Sequence, residues 1–352
     1  MTDHHADPPV DPRYALPPPN RRPAGAPPNR GPWLLLAMVL GACSCLFLGF
    51  VGLIGAAGSA TGAGSSNMVE QTVSGTSQDK IALIEIQGMI ARTQSAGLFG
   101  GAGVDMVERI RRELQQAADD NAVKGVLLAI DSPGGTVTAS DEIWHAIQSF
   151  KKDTNKPVVV HMGAICASGG VYIAVSGDKI VCEPTAITGS IGVVLSTMNF
   201  HDLLDKYGVK DVTITSGPNK DLLNSSAPIR EEHLEIIRGM VMENYERFTQ
   251  LVADGRGLDV KKVREFADGR IYTPTQALEL KLIDKIGYRE DALAECEKLA
   301  GVLEARLIRY TRPPSLADVL AGNVSAGKLP DLDADLLDEL GAPRLLALWR
   351  GR

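Results

Sequence analysis

Apolar and polar positions follow two different periods along the chain. Short apolar runs bounded by turn residues, at 81–86 and 126–130, alternate with longer stretches in which apolar residues recur every three or four positions. The short runs predict buried strands, and the longer stretches predict amphipathic helices. This alternation predicts an α/β fold of βαβ units with a mainly parallel sheet, beginning near Lys80. Further strands are predicted at 157–160, 179–182, 191–195 and 212–215, and helices at about 104–118, 138–151, 169–176, 230–254, 259–267, 274–281 and 289–300.

The first 79 residues do not follow this pattern. Residues 1–32 hold ten of the twenty prolines and few apolar residues, which predicts a disordered tail. Residues 33–57 form an uncharged apolar run of about 25 residues, long enough for one helix to cross ~30 Å of hydrocarbon. Residues 58–79 are rich in Gly, Ser and Thr and predict a flexible linker. We therefore expect a transmembrane helix and a linker before an α/β domain at 80–312.

Two other interpretations of the apolar run remain open. A cleaved signal peptide has an apolar region of only ~7–15 residues, although residues 58–60 are small enough for cleavage. Lipid attachment at Cys43 would use an imperfect motif deep inside the run. Four arginines precede the run, and no Lys or Arg follows it before Lys80. The positive-inside rule then places the N-terminus in the cytoplasm and the α/β domain on the extracytoplasmic side of the cell membrane.

Composition and charge exclude several kinds of function. The net charge of −7 leaves no basic surface for nucleic acid. The five cysteines are too few and too scattered for a disulfide framework, and no His/Cys cluster has the spacing of zinc ligands. The sequence therefore predicts neither a metal nor a cofactor. After the two prolines at 313–314, residues up to 352 carry short amphipathic runs that predict a tail lying on a surface.

The predicted strand at 126–130 ends in a turn that is suited to stabilising negative charge. The turn Asp131-Ser132-Pro133-Gly134-Gly135 lies beyond the strand end, where open α/β sheets bind ligands. Paired glycines let backbone N–H groups approach an oxyanion closely, but the same residues also suit an ordinary tight turn. Another glycine-rich segment, 97–103, lacks the Lys-Ser/Thr of a phosphate loop and predicts a mobile surface loop.

Ser168 is the candidate nucleophile. It lies among small residues between a predicted strand and an apolar helix, where the helix N-terminus favours negative charge near its Oγ. A serine that only caps the helix would show the same pattern. The nearby Cys166 would need a cationic neighbour to ionise, and the sequence offers none close by, so we interpret it as a core residue.

A serine nucleophile needs a base, and two kinds are available. Lys220 lies in a Gly-Pro-Asn turn after the predicted strand at 212–215. Burial in an apolar site would make it a neutral general base, whereas most lysines in such turns are solvated. Ser190, in a Thr-Gly-Ser turn, would hydrogen-bond and orient the amine. A Ser-His-Asp triad is the alternative, but none of the four histidines of the domain lies in a turn rich in small residues: His145, His161, His201 and His233.

In their order and spacing, these motifs resemble the signal peptide peptidase A family of bacterial membrane-anchored serine proteases. The similarity covers about residues 80–300. It rests on DSPGG at 131–135, ASGGVYIA at 167–174, TGSIGV at 188–193, SGPNKD at 216–221 and ADGRIY at 267–272.

The resemblance implies a fold, a set of site residues and a substrate class. The fold would be the spiral ββα fold of the Clp protease and crotonase type. The implied roles are nucleophile for Ser168, general base for Lys220, orienting hydroxyl for Ser190, and oxyanion hole for the backbone N–H groups of Gly135 and Gly169. The substrates would be cleaved signal peptides and other apolar peptides, without a cofactor. The chain would form a homo-oligomer, with the dyad either within one copy or shared between neighbours.

Two other functions remain open at the level of sequence. A crotonase-like enzyme acting on coenzyme A thioesters would share the fold and the oxyanion hole, but it would use carboxylates rather than a Ser-Lys pair. An inactive membrane scaffold would keep the fold without the chemistry. Labelling by a fluorophosphonate probe, lost in Ser168→Ala, distinguishes a serine peptidase from both.

Overall fold

A computed structural model of the chain describes residues 68–92 and 105–311, together with the backbone of Leu345–Leu348. Among the helices in these residues, none is both long and apolar enough to cross a membrane. Several sequence predictions lie outside the described residues: those for 1–32, 33–57, 58–67, 97–103 and most of 313–352.

Strands and helices alternate through the described residues, so the predicted α/β architecture is confirmed. The strands are β1 (Val69–Ser74), β2 (Lys80–Gln87), β3 (Val123–Ser132), β4 (Gly134–Thr136), β5 (Val158–Ala167), β6 (Lys179–Cys182), β7 (Ile187–Gly189), β8 (Val194–Leu195), β9 (Ile271–Tyr272), β10 (Lys285–Ile286), β11 (Arg306–Thr311) and β12 (Leu345–Leu348). The helices are α1 (Met106–Asp119), α2 (Val137–Thr154), α3 (Gly169–Ala174), α4 (His201–Lys206), α5 (Glu231–Arg256), α6 (Val260–Phe266), α7 (Pro274–Glu279) and α8 (Arg289–Ala300).

A nine-stranded mixed sheet forms the centre of the domain. Seven strands follow the order β1-β11-β2-β3-β5-β6-β10, and β7 and β9 extend the sheet beyond the end of β5. The central strands β2, β3, β5 and β6 are parallel, whereas β1 pairs antiparallel with β11 at one edge. A second, antiparallel sheet has the order β4-β12-β8. The candidate site lies where these two sheets meet, at the carboxyl ends of β3 and β5.

Both faces of the central sheet are covered, which explains its apolar strands. On one face Ile84 and Leu128 belong to a core that includes Phe248 of α5. On the other face Leu127 packs in a core with Cys296 of α8. Successive side chains of a strand point to opposite faces, so strands covered on both sides have continuous apolar sequences rather than alternating ones.

Local signals define the ends of the helices. Asp105 caps α1 by accepting a hydrogen bond from a backbone N–H of its first turn, and Thr273 caps α7 in a capping box with Gln276. Helices α2 and α5 end at residues with left-handed backbone angles, Asn155 and Gly257. These caps explain why the predicted helix boundaries agree with the structure to within a few residues.

The structure corrects two predicted strands. Residues 212–215 form no regular secondary structure and pair with no strand in the described part of the chain, because nothing there covers Val212 and Ile214, which are 83% and 93% exposed. The predicted strand at 191–195 is a strand only at 194–195, because the carbonyl of Ile191 instead accepts a hydrogen bond from the turn residue Gly269.

The segment expected to be a linker at 58–79 contains a strand. Residues 69–74 form β1, which pairs antiparallel with β11, so the sheet begins before the predicted start at Lys80. Strand β1 lies at the edge of the sheet, and most of its side chains are exposed. An edge strand without a buried face has no apolar pattern, so its composition resembles that of a linker.

Candidate active site

Ser168 lies in a sharp turn between β5 and α3. Its φ of 52° and ψ of −112° are strained for a residue with a side chain, a feature of serine nucleophiles at strand-to-helix turns. The side chain is 1% exposed, and its Oγ has no hydrogen-bond partner among the described residues. The Ser168 N–H donates to the carbonyl of Gly189 at 2.8 Å. The turn is therefore fixed by its backbone, and the hydroxyl is left available.

Gly169 is the first residue of α3, directly after Ser168. Backbone N–H groups in the first turn of a helix have no carbonyl partner within that helix. The Gly169 N–H is thus available beside the Ser168 side chain, as an oxyanion donor must be.

Gly135 lies in β4, which contacts α3, the helix that begins after Ser168. Strands β3 and β5 pair in parallel with Ser132 opposite Cys166, so the Gly134-Gly135 turn and Ser168 leave the same edge of the sheet. Gly135 bridges Ile90 on a neighbouring segment, and a Cβ atom on Gly135 would lie 1.9 Å from the carbonyl oxygen of Ile90. Only glycine fits at this position.

Ser132 holds this glycine turn in place. Its Oγ donates to the carbonyl of Gly88 at 2.6 Å and accepts from the N–H of Gly134 at 3.1 Å. Ser132 is fully buried. From the sequence, Ser132 has no expected role apart from turn formation, since its partner Gly88 is distant along the chain.

Ser190 lies beside Ser168. Strands β5 and β7 are parallel with Ala167 opposite Gly189, so the two serines are the first residues beyond two paired strand ends. Ser190 also has a φ of 52°, and its N–H donates to the carbonyl of Arg270 at 2.7 Å. It is 7% exposed and borders an open cavity of about 420 Å³. The structure therefore brings together Ser168, Ser190 and the two glycines.

Lys220 is not part of this group within one copy of the chain. It lies in the segment 196–230, which we call the arm, and the arm contains no buried residue. Lys220 is exposed and shares a shallow concavity with Thr213 and Ser216 on the arm surface. Because the Ser168 Oγ has no hydrogen-bond partner among the described residues, Lys220 makes no hydrogen bond to it.

The histidines do not provide a base either. His161 is buried on the sheet face covered by α8, 3.4 Å from Glu183. His201 contacts the carbonyl of Ser226 within the arm at 3.2 Å, and His233 contacts the carbonyl of Pro218 at 3.1 Å. His145 is exposed on α2. Among the described residues, none of these rings hydrogen-bonds to the Ser168 Oγ.

Cys166 does not compete with Ser168 as a nucleophile. The thiol is fully buried, and burial raises its pKa well above the ordinary value. A thiol that stays protonated is a poor nucleophile. In the part of the chain that the structure describes, no three His, Cys, Asp or Glu side chains cluster closely enough to bind a metal ion.

A peptide backbone already occupies the groove beside Gly135. Strand β12 lies between β4 and β8, antiparallel to both, with Ala347 opposite Gly135 and Leu346 opposite Thr136 and Val194. The groove thus accepts an extended chain as a third strand, which is how many proteins bind peptides.

A serine at a strained strand end, next to a glycine turn and a groove that accepts an extended peptide, is the arrangement of a serine peptidase. Comparisons with known proteins agree with this class. The model of Peptidase family S49 matches residues 150–303, and that of Clp protease matches residues 65–188. The chain belongs to peptidase family S49 and is a serine peptidase. A coenzyme A thioester enzyme is not favoured.

Three relatives illustrate the extent of the similarity. An Enterococcus faecium protein that carries the name signal peptide peptidase SppA is 40% identical over 248 residues, which are 70% of this chain and 72% of the relative. The chloroplastic serine protease SPPA of Arabidopsis thaliana is 32% identical over 250 residues, 70% of this chain and 36% of that protein. Protease 4 of Haemophilus influenzae is 34% identical over 223 residues, 63% of this chain and 35% of its own length.

Proposed function

We propose that the chain hydrolyses peptide bonds through an acyl-enzyme on Ser168, with Lys220 as the general base. The observation that carries this proposal is the strained, buried Ser168 beside the groove that holds β12. The Oγ of Ser168 forms no hydrogen bond with the described residues, and Ser168 lies next to Ser190. A hydroxyl in that position attacks a carbonyl of a strand bound in the groove.

The reaction proceeds in two steps. The neutral amine of Lys220 takes the proton of the Ser168 hydroxyl while Oγ bonds to the peptide carbonyl carbon. The resulting ammonium group gives that proton to the leaving amine as the C–N bond breaks, which leaves an ester on Ser168. Water then attacks the ester, loses its proton to Lys220, and releases the carboxylate product when the serine regains its proton. Ser190 orients the lysine amine through its hydroxyl.

The N–H groups of Gly135 and Gly169 stabilise the oxyanion of both tetrahedral intermediates. Both glycines lie on rigid backbone, Gly135 against Ile90 and Gly169 at the start of α3. Donors fixed in this way stabilise the developing charge without reorganisation, and each contributes roughly 10²–10³ in rate.

The dyad is completed between two copies of the chain in a homo-oligomer. Lys220 lies on an arm without buried residues and makes no hydrogen bond to the Oγ of Ser168 in its own copy. A second copy is therefore the source of the lysine for each serine. This arrangement makes the isolated single chain inactive.

The substrates are signal peptides and other apolar peptides, released at the membrane. One relative carries the name signal peptide peptidase, and the apolar run at 33–57 is long enough to anchor the chain in a bilayer. The arginines before the run stay on the cytoplasmic side by the positive-inside rule, so the catalytic domain lies on the extracytoplasmic side.

Mixing two inactive variants tests the proposal. Ser168→Ala and Lys220→Ala are each expected to lose peptidase activity, and only Ser168→Ala removes the residue that a fluorophosphonate probe labels. A mixture of the two full-length variants, dissociated and reassembled together, is expected to regain part of the activity, because some sites combine an intact serine with an intact lysine. An active Lys220→Ala variant alone would overturn the role of Lys220. An inactive mixture would overturn the sharing of the dyad. A wild-type chain that the probe does not label would be an inactive scaffold.

A further inference from the structure

A polar network holds the helix that follows Ser168. The hydroxyl of Tyr172, on α3, donates to Oδ1 of Asp141 on α2 at 2.6 Å. Nε of Arg247 on α5 donates to the same carboxylate oxygen at 3.0 Å and to the Tyr172 hydroxyl at 3.1 Å. We call Asp141, Tyr172 and Arg247 the Tyr172 network. It joins three helices, of which α3 begins directly after the candidate nucleophile.

Tyr172 is the buried member of this network. It is 1% exposed, and its ring packs on Phe248 of α5 with 4.9 Å between the ring centroids. Burial raises the pKa of Tyr172, and the carboxylate of Asp141 raises it further, so the hydroxyl keeps its proton and acts as a donor. The guanidinium of Arg247 lies 5.9 Å from the centre of the Trp144 ring on α2. The buried hydroxyl therefore has both a hydrogen-bond acceptor and a donor as partners.

A backbone hydrogen bond connects Tyr172 to the nucleophile. The Tyr172 N–H donates to the carbonyl of Ser168 at 2.9 Å. Helix α3 has only six residues, so its own hydrogen bonds are few and its packing decides where it lies. A shift of Tyr172 therefore moves Ser168 and the N–H group of Gly169 with it.

The two proposed oxyanion donors lie on different elements. Gly135 belongs to β4, which Ser132 and Ile90 hold in place. Gly169 belongs to α3, which the Tyr172 network ties to α2 and α5. In the proposed function a substrate strand pairs with β4 and β8, and no member of the network lies in either strand. Loosening α3 therefore changes the distance between the two donors and leaves the groove intact.

We propose that Tyr172, held by Asp141 and Arg247, is a positioning residue that sets the place of Ser168 and of the Gly169 N–H relative to Gly135. This inference rests on the proposed function, in which the two glycine N–H groups stabilise the oxyanion. The Tyr172 hydroxyl is engaged by its two partners, so it acts through α3 and not on the substrate. A displaced donor stabilises the transition state less and leaves the binding of the substrate strand unchanged. Loss of the network therefore lowers kcat and spares KM.

Steady-state hydrolysis of a small apolar peptide by full-length variants tests this role. Tyr172→Phe removes the hydroxyl and keeps the ring, and it is expected to lower kcat about tenfold, less than the roughly 10²–10³ lost with a whole donor. KM is expected to stay within about twofold of the wild-type value. Arg247→Met should have a similar effect, and Arg247→Lys should regain part of kcat because it keeps a positive charge near Asp141. The double variant Tyr172→Phe with Arg247→Met should lose little more than either single variant, since both changes disrupt one network.

Arg112→Met is the matched control. Arg112 is as exposed as Arg247, both side chains being 50% exposed, and it pairs with Glu108 within α1, so its kcat is expected to equal that of the wild type. Urea unfolding of each variant separates stability from positioning: a lower urea midpoint with wild-type kcat in Tyr172→Phe would overturn the proposal. A raised KM with wild-type kcat, or additive losses in the double variant, would overturn it as well. A wild-type chain that neither cleaves peptide nor reacts with a fluorophosphonate probe would overturn the proposed function and the positioning role together.

Discussion

Ser168 and Ser190 both have backbone angles that are unfavourable for residues with a side chain. Each has a φ of 52°, which costs on the order of 1–3 kcal/mol and persists only where the surroundings enforce it. The Ser168 N–H donates to Gly189, and the Ser190 N–H donates to Arg270. Each strained turn is thus held by a neighbouring strand end, so the position of the nucleophile depends on the pairing of β5, β7 and β9.

We expect Gly135→Ala to remove most of the activity. A Cβ atom at this position would lie 1.9 Å from the carbonyl oxygen of Ile90, so the backbone must shift and take the oxyanion donor with it. Loss of a donor lowers kcat by about 10²–10³, and overpacking costs about 1–3 kcal/mol of stability. Peptide hydrolysis and urea unfolding measure the two effects.

Gly239→Ala is the matched control for this change. Gly239 lies in α5 with open space around it, so alanine is expected to raise stability by up to about 1 kcal/mol and to leave kcat unchanged. Wild-type kcat in Gly135→Ala would show that its N–H does not stabilise the oxyanion.

The buried His161 makes stability depend on pH. Burial lowers its pKa, and this effect outweighs the opposing charge of Glu183. Below the unfolded value of about 6.5, the unfolded chain therefore binds more protons than the folded chain, and the free energy of unfolding falls as the pH drops through the lowered pKa. In His161→Gln the urea midpoint is expected to fall less between about pH 7 and about pH 5. His145→Gln, at an exposed position, should keep the wild-type dependence of the urea midpoint on pH. The same dependence in His161→Gln would show that His161 does not cause it.

At the scale of secondary-structure elements, the sequence predicts those in which the apolar pattern extends over many residues. Strands β2, β3 and β6 and helices α2, α5 and α8 agree with prediction because both faces of the sheet are buried and the caps are local. Strands β9 and β10 have two residues each, too few to show any period. The predicted strand at 212–215 finds no pairing partner among the described residues. Likewise, the motifs predicted the candidate residues around Ser168, whereas the separation of Lys220 from Ser168 depends on the path of the arm.

In the proposed function, strand β12 occupies the place that a substrate strand needs. It pairs with β4 and β8 on either side, so a peptide must displace it to lie beside Gly135. Removing residues 345–352 is therefore expected to raise kcat/KM for a small apolar peptide severalfold, mainly through a lower KM. Removing only 349–352 keeps β12 and should change little. Equal kcat/KM in both truncated chains and the full chain would show that β12 does not compete with substrate.

At the scale of the whole molecule, the α/β domain and the N-terminal apolar run serve different purposes in the proposed function. The residues assigned to chemistry all lie in the range 135–220, and the described residues from Met68 onwards belong to one compact unit. None of the residues assigned to chemistry lies in the run at 33–57. Its proposed role is to hold the enzyme near apolar peptides in the bilayer, which raises their effective concentration.

Deleting residues 1–67 is therefore expected to separate two activities. Cleavage of a small soluble peptide should continue, because the groove, the serine and the arm are all retained. Cleavage of an apolar peptide embedded in phosphatidylglycerol and phosphatidylethanolamine vesicles should fall strongly, because the enzyme no longer concentrates at the bilayer. Replacing 33–57 with an unrelated Leu-Ala helix of equal length should restore the second activity, since only the apolar length matters. Equal loss of both activities on deletion would show instead that the first 67 residues are needed for folding or assembly, and failure of the replacement helix would assign a sequence-specific role to residues 33–57.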